Sequence, residues 1–215
     1  MDPKQPVPLP MRPLVEARLR GTQPGGDPLA AALGNHDPER QGALRRLLPA
    51  RLARAAVMVP LIDRPEGMTV LLTRRARHLK RHAGQVSFPG GRIEERDSGP
   101  WQAALRETAE EIGLQPQFAS LAGYLPDQLV ISGYVVTPVV ACVQPGFELR
   151  LDLTEVEAAF EVPLQFILDP ANRVQRERRI SGVGFTSYEF PYGEHQIWGA
   201  TASMLVNLCR MLEQP

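Results

Sequence analysis

The residues best suited to chemistry lie between Arg106 and Glu111. In Arg106-Glu107-Thr108-Ala109-Glu110-Glu111-Ile112-Gly113-Leu114, three carboxylates follow one arginine. On a helix, at about 100° per residue, Glu107, Glu110 and Glu111 share one arc. Trp101, Leu105, Thr108, Ala109 and Ile112 share the opposite, core-facing arc. Like charges at this spacing weaken a helix by about 0.2–0.5 kcal/mol per pair, so something should compensate. A hard divalent cation does so directly, because Mg²⁺ takes oxygen ligands and is usually held by a few carboxylates plus substrate phosphates. An isolated Glu-Glu pair is more often a solvated helix face. Here Phe88-Pro89-Gly90-Gly91 upstream and the arginine immediately before Glu107 argue for a site instead.

Several elements must hold these residues in place. Pro100 suits the first helical position, where its missing N–H costs nothing, and Gly113 suits a left-handed exit. Gly90-Gly91 lets backbone approach the acidic face because no side chain intervenes. Strands are expected at Ala55–Ile62, Met68–Thr73, Gln85–Phe88, Leu121–Leu125 and Val130–Val143, the last bending at Pro138. Thr154 reads as the N-cap of a helix through Phe160, stopped by Pro163. Arg173–Ile180 and Phe185–Phe190 read as a hairpin, and Thr201–Leu212 as a closing amphipathic helix. Strands interleaved with a few helices predict an α/β fold with a mixed sheet covered on both faces.

Seven of the 21 prolines fall in the first 28 residues. Residues 1–50 therefore read as a Pro-rich N-terminal extension, with a short helix at Leu14–Leu19. A second helix is expected from Asp37-Pro38, with Leu44, Leu47 and Leu48 as its stripe. Residues 51–215 form the main domain. With 24 basic and 24 acidic residues the chain is formally neutral, which disfavours a general polyanion binder. The start carries no secretory pattern, and the apolar run Tyr134–Val143 is too short to span a bilayer. Cys142 and Cys209 read as buried free thiols in a reducing cytoplasm.

The acidic segment resembles the Nudix box: Gly91, a loop with an acidic residue, then Arg106, Glu107, Glu110, Glu111, Gly113 and Leu114 in register. Thr108 stands where that pattern has an apolar residue, and Asp97 where it usually has glutamate, on a loop one residue longer. The resemblance implies a Nudix-type α/β/α sandwich and a hydrolase of a diphosphate. It implies Glu107, Glu111 and Glu110, with the Gly91 backbone, around Mg²⁺ (or Mn²⁺). Glu110, Arg106 and Glu107 are then the catalytic set.

Leu71-Leu72-Thr73-Arg74-Arg75-Ala76, Lys80, Gly84 and Phe88-Pro89-Gly90-Gly91 are similar in order and spacing to the extra motif of Nudix coenzyme A pyrophosphatases. Lys80 keeps the charge of an arginine common there, without its fork. Ile197-Trp198-Gly199-Ala200-Thr201-Ala202 also looks like that subgroup. The resemblance implies Arg75, Lys80, Gly84 and Phe88 as substrate-contacting residues. The basic run from Arg74 to His82 is otherwise a solvated loop or a nucleic-acid surface. It lacks interleaved aromatics and the chain is neutral, so a compact polyphosphate fits better. His78 and His82 have no evident third ligand and are not read as a metal site.

The expectation is therefore a small-molecule hydrolase that cleaves coenzyme A, or an acyl or oxidised derivative, to 3′,5′-ADP and 4′-phosphopantetheine, with neither nucleic acid nor membrane as partner. The general base stays open among Glu110, Glu155 and Glu157. The alternatives are another nucleoside diphosphate derivative such as ADP-ribose, or an inactive nucleotide-binding module, against which the intact glutamate trio argues.

Overall fold

Alternation along two long apolar strands builds the centre of the molecule. The computed structural model describes residues 11–25, 41–42, 45–46, 48–49, 51–130, 132–180 and 183–213. Strand β1 (Ala53–Ile62) runs parallel to β7 (Tyr134–Val143), from Ala53 opposite Tyr134 to Ile62 opposite Val143. Successive side chains of a strand point to opposite faces. Ala56 and Met58, with Val139, Ala141 and Val143, meet one helical layer. Val59 and Leu61, with Val136, Val140 and Cys142, meet the other.

The remaining strands are β2 (Thr69–Arg75), β3 (Val86–Ser87), β4 (Gly90–Arg92), β5 (Ala119–Tyr124), β6 (Gln128–Val130), β8 (Val156–Pro163), β9 (Val174–Ile180), β10 (Val183–Tyr192) and β11 (His195–Trp198). The large sheet has the order β3-β2-β1-β7-β5, with β4 on β1, β6 on β7 and β8 on β2. The β9–β11 strands form a separate antiparallel sheet. One face carries α2 (Pro100–Ile112); the other carries α1 (Met11–Leu19), α3 (Leu164–Leu168) and α4 (Gly199–Glu213). This is the mixed sheet between helices that the sequence predicts.

Three expectations change. Thr154–Phe160 is not a helix: after an Asp152 turn that accepts the Thr154 N–H and hydroxyl, the chain enters β8 and pairs with β2. Seven residues are marginal for a helix, whereas β-branched Val156 and Val162 and the open side of β2 favour a strand. Val130–Val143 is two strands, split by a turn at Gly133 (φ 94°). On α2 the buried residues are Ala103, Ala104, Thr108, Glu111 and Ile112, so Glu111 lies on the core side, while Leu105, Ala109 and Trp101 are only half-buried.

The expected helix from Asp37 falls largely outside the described residues. Val15 and Leu19 of α1 are fully buried in the core cluster, so a cut at residue 50 would remove part of the core. Both cysteines are buried free thiols, as expected. Among the described residues no helix is long and apolar enough to cross a membrane.

Candidate active site

The Gly90-Gly91 turn and α2 make the site together. Gly90 has φ 148°, and a side chain there would meet the β1 backbone, with Val57 Cα only 2.5 Å from the new Cβ. A Cβ on Gly91 would land on the Glu107 carboxylate. Both positions need glycine because β1 and α2 close on the turn from opposite sides. The Gly90 N–H donates to Glu111 Oε2 at 3.0 Å, fixing that carboxylate against the turn.

Glu111 is only 4% exposed, and its nearest cation, Arg75, stands at 3.8 Å. Burial, opposed by the Gly90 hydrogen bond and by Arg75, pushes its carboxyl up to about 7. The Glu107 carboxyl is also raised, first by burial, against the Arg106 hydrogen bond. Glu155 faces the same pair, and its charge adds to both rises. Its backbone oxygen accepts the Ala76 N–H at 2.8 Å, which anchors it beside Arg75.

Arg106 organises the acidic face. Its Nε and Nη2 donate to Asp97 Oδ1 and Oδ2 at 3.1 and 3.0 Å. Nη1 donates to Glu107 Oε1 at 2.9 Å and Glu110 Oε2 at 3.0 Å, and Nη2 also to the Arg92 carbonyl at 3.1 Å. The fork from Arg106 holds the buried Asp97 carboxyl below the usual carboxylate range, and Asp97 in turn raises the guanidinium pKa. Asp97 therefore anchors Arg106. The sequence left that role open, although the arginine nine residues on was a signal.

The residues picked out from sequence divide into two groups. The structure brings Glu107, Glu111, Gly91, Arg106 and Arg75 together. Glu110 is exposed and engaged by Arg106 and by Arg96 at 3.6 Å. Lys80 is exposed on the β2–β3 loop. Gly84 (φ 67°) closes that loop: its N–H donates to the Arg75 carbonyl, and the Arg75 N–H to the Gln85 carbonyl, both at 3.0 Å. Phe88 is 3% exposed and lies in the core cluster.

A buried carboxylate, Glu111, beside a partly buried one, Glu107, whose oxygens Arg106 engages only in part, fits a divalent cation. Among the described residues no three His, Cys, Asp or Glu side chains close into a metal cage. Glu107 and Glu111 would hold the ion, leaving its other positions to phosphate oxygens and water, as Mg²⁺ usually requires. When bound, such an ion neutralises phosphate charge and acidifies water. The chain's own work is positioning. Arg106 fixes Glu107, Gly90 fixes Glu111, and Arg75 holds a guanidinium 3.8 Å from Glu111.

The NUDIX domain family model matches residues 52–180. The uncharacterized Nudix hydrolase NudL of Salmonella paratyphi B is 38% identical over 154 residues, covering 72% of this chain and 80% of its own length. The Nudix hydrolase RenU of M. smegmatis superposes with a TM-score of 0.46 at 23% identity, over 53% of this chain and 71% of its own. For a C. elegans Ap4A hydrolase binary complex the values are 0.45 and 20%, over 52% and 80%. With its box, its turn and its family match in agreement, the chain belongs to the Nudix family, as a hydrolase of a nucleoside diphosphate derivative.

Proposed function

We propose that the substrate is coenzyme A or an acyl or oxidised derivative, cleaved at its diphosphate with Mg²⁺ (or Mn²⁺) to 3′,5′-ADP and 4′-phosphopantetheine. One observation carries the reading. Arg75 reaches Glu111 at 3.8 Å, and the strand that carries it launches a loop with Lys80 and Arg81 exposed. Coenzyme A has an internal diphosphate and a separate 3′-phosphate, and so needs cations at two places. Arg75 serves the diphosphate and Lys80 the distal group. Glu155 takes the proton from the attacking water. Glu110 is bound by Arg106 and Arg96, and Glu157 by Arg74 and Arg77, whereas among the described residues Glu155 has no ion pair. Two buried thiols suit a reducing cytoplasm.

The test is a panel of diphosphates with Mg²⁺ and products identified by mass. Masses of 3′,5′-ADP and 4′-phosphopantetheine are expected. Cleavage of ADP-ribose or a nucleotide sugar, with coenzyme A untouched, would overturn the assignment.

A further inference from the structure

We propose that His82 contacts the diphosphate of the substrate, beside Arg75. This rests on the substrate being a nucleoside diphosphate derivative. Among the described residues, His82 is the one non-glycine residue with a left-handed backbone, at φ 57°. A Cβ in that region crowds the following carbonyl oxygen, so the conformation costs stability, and such strain collects at ligand-binding positions. The loop around it enforces the geometry. The Gln85 N–H donates to the His82 carbonyl at 3.2 Å. Gly84 (φ 67°) then makes a glycine bulge opposite Arg75, through the two backbone bonds that close the β2–β3 loop. The imidazole is tethered as well: its Nδ1 donates to Gln85 Oε1 at 2.8 Å. Nε2, across the ring, has no hydrogen bond among the described residues, and the residue is exposed.

Strand alternation places that ring on the face of the carboxylates. In β2, Leu71 packs in the cluster under α2 and Arg75 reaches Glu111, whereas Leu72 packs in the opposite cluster. Across the β2–β3 pair, Thr73 stands opposite Ser87 and Arg74 opposite Val86, and Val86 joins the opposite cluster. Gln85 comes next, opposite Arg75, and shares its face. The His82 ring, bonded to the Gln85 side chain, therefore lies on the Glu111 side of the sheet with Arg75. As an imidazolium it donates from Nδ1 to Gln85 and from Nε2 to a phosphate oxygen. Asparagine or glycine would make the same left-handed turn with less strain, so the turn alone gives no reason for a histidine.

The experiment uses the full chain with Mg²⁺ and methylenediphosphonate, a diphosphate whose bridge water does not split. By calorimetry, His82→Gly and His82→Asn should each bind it roughly tenfold or more weakly. Their thermal midpoints should match or exceed the native one, because both residues accept the left-handed backbone. In turnover, both should raise KM for coenzyme A with kcat unchanged. Native affinity in either variant, or a loss that runs in step with a fall in the midpoint, would overturn the inference. Cleavage of coenzyme A at a native KM by both variants sinks the contact and leaves the proposed reaction standing. Affinity for methylenediphosphonate that depends on His82, in a protein that leaves coenzyme A intact, does the reverse.

Discussion

Replacing Glu111 by glutamine should remove activity and, without metal, make the protein more stable. Burial lifts the Glu111 carboxyl from its ordinary 4.5 to about 7. At 1.36 kcal/mol per tenfold, that is roughly 3 kcal/mol against the ionised form in the folded state. The folded chain keeps the proton longer than the unfolded chain does, so stability falls as pH rises from 4.5 towards 7 and then levels off. Glutamine does not titrate, and its amide oxygen can still accept the Gly90 N–H. Burying the extra amide donors costs about 1 kcal/mol, which leaves a net gain of about 2 kcal/mol at pH 8. For a chain of this size that is roughly 4–8 °C in Tm. The assay is thermal unfolding of both proteins in chelator at pH 5 and pH 8, then with saturating Mg²⁺. The gain should be nearly absent at pH 5, full at pH 8, and diminished by Mg²⁺, which stabilises only the native carboxylate. A variant less stable than wild type at pH 8, a gain independent of pH, or near-normal turnover would each refute the reasoning.

Thr108→Val should raise stability by about 1 kcal/mol, because the Thr108 hydroxyl is buried without a partner on the fully buried face of α2; urea midpoints will show it, and a loss would mean the hydroxyl is satisfied. Asp97→Asn should lower kcat about 10–100-fold by loosening Arg106 while KM for substrate changes little, and unaltered turnover would show that Arg106 holds Glu107 unaided. Lys80→Ala should cost coenzyme A about one to two orders of magnitude in kcat/KM and spare dephospho-coenzyme A, which lacks the 3′-phosphate. An equal loss for both substrates would move Lys80 to the diphosphate.

Much of the site was legible because its spacing is helical and its turn is glycine-rich. Arg106, Glu107 and Glu111 follow one another at fixed angles, and Gly90-Gly91 announces a close approach. Less legible was which way the helix faces. Periodicity assigns residues to arcs, and the arc with Leu105, Ala109 and Trp101 looks the more apolar. The sheet keeps Thr108 and Ile112 of that arc but takes Ala103 and Ala104, small residues that let α2 come close, in place of the rest, and it draws Glu111 in with them. A carboxylate on the core side violates the amphipathic rule, and such violations concentrate where function requires them.

The misread helix at Thr154–Phe160 has a different cause and a larger consequence. Local propensity favoured a capped turn of helix, but the decisive partner, β2, lies more than eighty residues earlier in the chain. As a strand, β8 carries a register shift opposite Arg74 and Arg75. That irregularity lets neighbouring glutamates part company. Glu157 turns to Arg74 and Arg77, whereas Glu155 stays beside Ala76, close enough for its charge to raise Glu107 and Glu111. On a helix the two residues would have been about 200° apart with no reason to prefer either. The long-range pairing thus sets Glu155, which has no ion pair among the described residues, beside Glu107 and Glu111, a distinction that no window of the sequence contains.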